Sequence, residues 1–433
     1  MGTRCPHDAH LMNPRSKLVL LVTAALATAV GRSIVRDQPA DDAAARYFKG
    51  NTHTHSLWSD GNGAPQLIAR WYKERGYDFL ALTDHNILMR GEKWFTVAKE
   101  GGRDQRLTKA RLDELQEVSE LSPVETRVVE GVESMRLWTL EQVRERFEQP
   151  NEFLLIESEE VTGGFDGRPV HINALGVDER LLPGDGDTLS AMMDDTVGLI
   201  RAHGEGRSHP TLAFVNHPNF QWAMDFEELA MLTHDRFFEV YNGHPSTNNA
   251  GDEAHPSTED MWDRAMVRRM TELGRGGEAG LLYALATDDS HEYHEWGPMK
   301  TNPGRGWVMV RATELSEVAL LEAMHAGDFY ASSGVELKQI VNDGTSLSIQ
   351  IEPEFGMRYK TSFIGTRING DVVGKVGSVF STTDQLSATY RFAGDELYVR
   401  AVVEKLTPQQ TETEDWRDPF LDKAWVQPVL VKP

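Results

Sequence analysis

Short apolar runs that end directly on histidine, aspartate or glutamate recur between residues 50 and 291. This limits the possible folds more than any other feature of the chain. The run 79–82 leads into Thr83-Asp84-His85-Asn86 and 154–156 into Glu157-Ser158-Glu159-Glu160. The run 212–215 leads into Asn216-His217-Pro218, and 281–286 into Asp288-Asp289-Ser290-His291. Runs this short read as buried strands rather than helices, and amphipathic segments lie between them, so an α/β fold is expected. The clearest helix should start near Pro65 and stop at Gly76, with Leu67, Ile68, Trp71 and Tyr72 on its apolar positions. Residues 92–150 are charged and read as mostly helical, with Thr139 and Gln142 as a capping box. A last helix is expected from Ser316 to about Gly327. No internal repeat is visible.

After Gly334 the pattern changes to period two. Leu347, Ile349 and Ile351 alternate with Ser346, Ser348 and Gln350. Leu397, Val399, Ala401 and Val403 alternate with Tyr398, Arg400, Val402 and Glu404. Such alternation with Gly-rich turns predicts a small antiparallel, sandwich-like β domain over 335–433, behind a barrel over 50–334.

At the other end, Arg15 and Lys17 precede an apolar run from Leu18 to Val30, only 13 residues long. A membrane span needs about 20 residues. A basic start, an apolar middle and the small residues Ala25, Ala27 and Ala29 match a secretory signal over 1–29, with a linker over 30–49. Export to the periplasm or the exterior is therefore expected, with no stable membrane insertion after cleavage. The chain's one Cys, Cys5, would leave with the signal, so neither a disulfide framework nor a thiolate metal site remains. With 67 acidic against 44 basic residues the formal net charge is −23, which repels phosphate backbones and argues against a nucleic-acid partner.

Metal binding is the chemistry that the recurring motifs share. His53 and His55, in Thr52-His53-Thr54-His55, point to one face of an extended segment, and Asp60 follows in a Gly-flanked loop. Imidazoles and carboxylates at strand ends are a ligand set for Zn, Mn or Fe, and one carboxylate can bridge two ions. Where strands close into a barrel, their C-terminal ends meet at one mouth, so distant motifs can share a site. A single His-x-His is usually an ordinary surface pair; it is the linear series behind strand signals that carries weight. Asp84 is a candidate general acid, with orienting His85 or capping its strand as the alternatives. Glu160 is the expected bridge, and Glu159 is read as solvated. His244, beside Asn242 and Gly243, is a candidate substrate contact or a plain loop histidine.

These motifs resemble the PHP superfamily, named for polymerase and histidinol phosphatase. The patterns are Thr-His-Thr-His-Ser-x-x-Ser-Asp-Gly at 52–61, Leu-Thr-Asp-His-Asn at 82–86, Glu-Glu-Val-Thr at 159–162, Asn-His-Pro at 216–218 and Asp-Asp-Ser-His at 288–291. Phe238 to Pro245, Gly327 to Gly334 and Lys423 to Pro428 are similar to its secreted CehA/McbA, carbaryl-hydrolase-like branch. The resemblance spans residues 50 to 430. It implies a distorted (β/α)7 TIM-like barrel with two or three divalent metal ions. His53, His55, Glu160 and Asp289 would hold one ion. Glu160 would bridge to a second, shared with His171 and His217, and Asp60, His85 and His291 would hold the third. Asn51-Thr52 stands where the family usually has a leading Asp, and Asp288-Asp289-Ser290-His291 where many members have Ser-Asp-Ala-His; neither change removes a ligand. Amidohydrolase barrels also open on His-x-His but need a strand-end Lys as the bridge, and none is expected between 150 and 290.

The activity implied is metal-dependent hydrolysis of a small ester: a phosphate ester first, or a carbamate or carboxyl ester as in the branch. A non-catalytic metal-containing binding protein is the alternative of another class, and a missing ligand would have favoured it. Oligomeric state is not legible.

Overall fold

The computed structural model describes residues 45–99, 101–407 and 422–431 of the 433. The expected signal, and the linker as far as residue 44, lie outside the described residues. Seven strands build the frame of the first part: β1 (Arg46–Asn51), β2 (Phe79–Leu82), β3 (Leu154–Phe165), β4 (Arg168–Leu175), β5 (Leu212–Val215), β6 (Phe237–Asn242) and β7 (Tyr283–Thr287). They lie side by side in that order. At the C-terminal ends of β1 and β7 the row bends round to meet itself. Thr54 bridges Ser290 in parallel, the His55 N–H donates to the Ser290 carbonyl at 2.9 Å, and the Asp289 N–H donates to the His53 carbonyl at 3.0 Å. Closure therefore occurs at the end where the histidines sit.

The order of strands departs from a simple strand-helix repeat. β3 and β4 form an antiparallel hairpin, whereas β1–β2–β3 and β5–β6–β7 run parallel. The cause is local. Phe165 pairs with Arg168 across Asp166-Gly167, and both turn residues have positive φ (48° and 78°), the two-residue turn that Asp-Gly favours. The hairpin carries His171 back to stand opposite Thr162.

Residues 92–150 are not mostly helical. The strands Trp94–Thr96, Thr126–Val129 and Val132–Arg136 form a small antiparallel sheet beside the helices Lys109–Glu117 and Leu140–Phe147. Glu130-Gly131, with φ of 52° and 77°, makes its tight turn, and the β-branched Val128, Val129 and Val132 flank it. Elsewhere the helix α1 runs Pro65–Glu74 with Gly76 at φ 74°, and the capping box at Thr139 and Gln142 forms.

Strand pairing runs straight across residue 334. β8 (Trp307–Ala312) pairs β1, β9 (Phe329–Ser332) pairs β8, and β12 (Lys423–Leu430) pairs β9. Next come β11 (Glu396–Leu406) and β10 (Arg358–Asn369), so the antiparallel C-terminal strands continue the same large sheet. A second sheet, Leu337–Asn342, Ser346–Ile351 and Ser387–Arg391, covers one face of this extension. Leu347, Ile349, Ile351 and Ala388 bury against Phe363, Val399, Ala401 and Val403.

The opposite face of β11 meets the helix α2 (Thr258–Thr271), which explains two buried charges in a strand expected to be polar on that side. Arg400 is fully buried and grips Asp263 with two bonds, Nε–Oδ1 at 2.8 Å and Nη2–Oδ2 at 2.7 Å. Tyr398 Oη donates to the same carboxylate at 2.7 Å, and Lys423 Nζ lies 3.3 Å from Glu259. A buried bidentate pair contributes little net stability over an apolar replacement, but losing one partner strands the other charge. Arg400→Met should therefore destabilise the chain by about 3–5 kcal/mol in urea unfolding. The double variant Arg400→Met, Asp263→Leu should recover most of that loss.

Candidate metal centre

The site forms at the ends of β1, β2, β5 and β7 and in the middle of β3 and β4, where Glu160 and His171 lie inside strands rather than after them as expected. Past β1 the chain stays extended, and both imidazoles of His53 and His55 turn inward and are fully buried. Asn51 fixes this turn. Its Oδ1 accepts the His53 N–H at 2.9 Å and Thr54 Oγ1 at 3.0 Å, while its Nδ2 donates to the Gly306 carbonyl at 3.0 Å.

Three groups of nitrogen and oxygen atoms follow. His53 Nε2 and His55 Nε2 lie 3.3 and 3.2 Å from Asp289 Oδ1, and 3.4 Å each from the two oxygens of Glu160. On the other side of Glu160, His171 Nδ1 is 3.0 Å and His217 Nε2 3.7 Å from Oε1, and His85 Nδ1 is 2.7 Å from Oε2. Nearer solvent, Asp60 faces His55 Nδ1 at 3.5 Å, His85 Nε2 at 3.4 Å and His291 Nε2 at 3.4 Å. The structure thus brings together His53, His55, Asp60, His85, Glu160, His171, His217, Asp289 and His291, with Glu160 common to two groups. His85 stands between the Asp60 and Glu160 groups rather than wholly in one.

Whether these atoms suit metal ions is decided by the ones left over. Among the described residues, the buried atoms His53 Nε2, His55 Nε2, His171 Nδ1 and Glu160 Oε2 have no hydrogen-bond partner. His85 Nδ1, 2.7 Å from Glu160 Oε2, also meets Thr162 Oγ1 at 2.6 Å. Unpaired buried polar atoms are costly, and here they converge with spacings suited to a shared cation. Imidazole nitrogen and carboxylate oxygen fit zinc, manganese or iron.

The charge on each imidazole is set by its neighbours. Burial, helped by the neighbouring His291, pushes His55 down to about 3, so this imidazole is neutral as a ligand must be. At His85 burial acts the same way, but Glu160 and Asp60 outweigh it and lift the group to about 11. Without an ion, that proton offsets the surrounding carboxylates. Burial would raise Glu160, yet His171, His85 and His53 hold it well below the usual carboxylate range.

Behind the ligands stands a residue without a metal-type motif of its own. The Glu239 carboxylate, fully buried in β6, accepts four hydrogen bonds. His53 Nδ1 and Thr287 Oγ1 reach Oε1 at 2.7 Å each; the His217 N–H at 2.7 Å and Asn242 Nδ2 at 2.8 Å reach Oε2. Burial lowers the His53 pKa, but Asp289, Glu239 and Glu160 outweigh it and raise it, so without an ion the ring is protonated; with Nδ1 committed to Glu239, Nε2 is the atom it turns to the ion position. Glu160 is fixed in a similar way: Asn216 Nδ2 donates to its Oε1 at 2.7 Å and to Asn173 Oδ1 at 2.9 Å. Two ligands carry backbone strain, His217 at φ 27° and Asp289 at φ 48°, about 1–3 kcal/mol each. The Glu239 bond to the His217 amide and the ring-closing bond of the Asp289 amide hold them there.

Three expectations change. Asp84 is not at the mouth as an acid and does not orient His85. It is fully buried, with Oδ1 accepting the Ser56 N–H at 2.8 Å and Ser59 Oγ at 2.6 Å, and Oδ2 accepting Ser56 Oγ at 2.6 Å. Burial raises its pKa, and its function is to fold the 56–59 loop that delivers Asp60. Asn242 is equally buried and holds Glu239 and Asp289, at 2.8 and 3.2 Å, so it is closed to substrate. Glu159 is not solvated: it alternates with Glu160 to the opposite side of β3, where Oε1 accepts the Leu181 N–H at 2.5 Å. His244 does face the centre, its ring 5.8 Å from His291 and 6.0 Å from Phe220, whose ring is 5.1 Å from His217.

No family model matches the chain, and no curated protein matches it. Several solved structures overlap it in part. A two-domain protein of Bacteroides vulgatus containing a PHP-like metal-dependent phosphoesterase has 15% identity and a TM-score of 0.39, covering 84% of this chain and 91% of its own. PsfC of Pseudomonas syringae has 12% identity and a TM-score of 0.31, over 65% and 88%. An amidohydrolase of Chromobacterium violaceum with bound sulfate has 15% identity and a TM-score of 0.28, over 59% and 93%.

Partners of metal-bound imidazoles usually contribute 10–100-fold to metal affinity. Glu239→Gln should weaken metal binding by about that factor in a chelator competition, with an unchanged circular dichroism spectrum. Glu160→Ala, which removes the shared carboxylate, should lower the metal-to-protein ratio, measured by plasma emission, by more than one ion.

Proposed function

We propose that the chain is a metal-dependent hydrolase of the PHP type that cleaves small phosphate esters. The observation that carries this reading is the convergence of three partnerless buried imidazole nitrogens, on His53, His55 and His171, on one carboxylate, Glu160, placed to serve two ion positions. Divalent ions held there supply Lewis acidity, which generates a hydrolytic nucleophile from water near neutral pH and polarises the ester. The chain's own residues do the rest. Asp60 is half exposed while His53 and His55 are sealed, so substrate enters on the Asp60 side. The Ser246 N–H donates to His244 Nδ1 at 3.1 Å, so the neutral ring carries its proton on Nε2. Burial lowers the His244 pKa, which keeps it neutral. His244 thus offers an Nε2–H that hydrogen-bonds the negative charge developing on the leaving oxygen, which takes its proton from water.

A second reading, hydrolysis of a carbamate or carboxyl ester as in the CehA/McbA branch, is favoured by one observation. Phe220 puts an apolar ring between His217 and His244, where an acyl or aryl group would sit. We further propose that residues 1–29 direct export and that the working protein starts beyond them.

Mature protein reconstituted with Mn, Zn or Fe should hydrolyse p-nitrophenyl phosphate and lose the activity with chelator and in His53→Ala. Turnover of a naphthyl carbamate with none of the phosphate ester would select the second reading; turnover of neither would remove both. His244→Ala should lower kcat by about 10²–10³-fold with little change in metal content. N-terminal sequencing of exported protein should begin after residue 29.

A further inference from the structure

The strands that carry the metal ligands have a second polar end. β5, β6 and β7 are parallel, and their C-terminal ends lead to His217, Asn242 and Asp289. At the other end of the same three strands, about 15 Å away at 3.3 Å per residue, lies a separate cavity of about 970 Å³. Thr211 precedes β5, Arg236 precedes β6 and Ala279 precedes β7, and all three line it. So do Arg201, Arg269, Arg275, His234 and His325.

Arg236, Arg269 and Arg275 are unusual in how they are partnered. None makes an ion pair with a carboxylate among the described residues. Instead Arg269 donates to the Leu232 and Ala279 carbonyls at 2.6 and 2.7 Å, and Arg275 to the Ala230 and Met231 carbonyls at 2.9 and 3.1 Å. Arg236 donates to the Glu278 and His325 carbonyls at 2.5 and 3.2 Å. Carbonyls satisfy N–H groups but neutralise no charge. Arg269 is only 3% exposed, and its Nε–H has no partner. Burial, followed by repulsion from Arg275 and Arg236, pushes it down to about 9. Three carboxylates, Glu205, Asp235 and Glu322, line the same cavity, but Glu205 pairs with Arg201 and Asp235 accepts the Ala213 and Arg236 backbone N–H groups, so none neutralises these three arginines.

Three clustered guanidiniums that no carboxylate pairs with, lining a cavity large enough for a small molecule, suit a ligand that brings its own negative charge. Tetrahedral oxyanions offer several acceptors to several guanidiniums at once, which a single carboxylate does not. We propose that this cavity binds a multiply charged phosphate-class anion, at a site distinct from the metal centre. The inference does not depend on which ester the metal centre cleaves.

The test is calorimetric titration of the full metal-loaded protein with inorganic phosphate and with pyrophosphate, repeated in Arg275→Gln, Arg236→Gln and Asp289→Asn. The two arginines are half-buried rather than sealed, so these variants are chosen over any at Arg269. Saturable binding, tighter for pyrophosphate, that weakens at least tenfold in both arginine variants and persists in Asp289→Asn would bear the proposal out. In the unmodified protein, pyrophosphate should also shield Arg236 and Arg275 from phenylglyoxal, read peptide by peptide by mass spectrometry. No saturable binding of either probe would overturn the proposal. So would binding that survives in the arginine variants, vanishes in Asp289→Asn, or leaves the arginines unshielded.

Discussion

One buried carboxylate ties the metal centre to the fold. Glu239 takes hydrogen bonds from His53, the amide of His217, Asn242 and Thr287, which belong to the segments after β1 and β5 and to β6 and β7. Neighbouring strands of a curled sheet are held by their ladders, but β1 and β7 meet only at the mouth. There the ring-closing backbone bonds and the Glu239 bonds act on the same residues. A charge buried this deeply is tolerated because all its partners are donors. It sets the orientation of one ligand, the backbone of another and the closure of the ring together.

What could be read from the sequence was whatever is local. The metal ligands follow strand-like runs within a few residues, so His53, His55, His85, Glu160, His217, Asp289 and His291 were identifiable without coordinates. Glu239 was not, because a carboxylate inside an apolar strand has no neighbouring ligand to mark it; the only hint was a charge at a position where β6 is otherwise buried. Asp84 and Asn242 were assigned to chemistry because they adjoin ligands, yet both have their oxygens and amide taken by other residues, a fact that depends on segments far away in sequence. The same limit applies to β11. Its alternation predicted a polar outer face, but that face lies on α2, so Arg400 and Glu404 are buried. In residues 92–150 the density of charge suggested helix and hid the Glu130-Gly131 turn that makes a sheet.

The centre is also asymmetric in access. His53 and His55 lie at the sealed base and Asp60 at the open rim, with His85 between them. Strain in the backbone at His217 and Asp289 belongs to the sealed part, where hydrogen bonds from the frame hold it in place.

The large sheet has a consequence for how the protein is made. β12 is inserted between β9 and β11, although both of those strands are synthesised before it. Until residues 423–430 have left the ribosome, β9 and β11 each present a bare edge, and unpaired edges attract other chains. A nascent chain is therefore most prone to self-association shortly before it is finished, and stop codons that fall just ahead of β12 would yield aggregates rather than a slightly shorter protein.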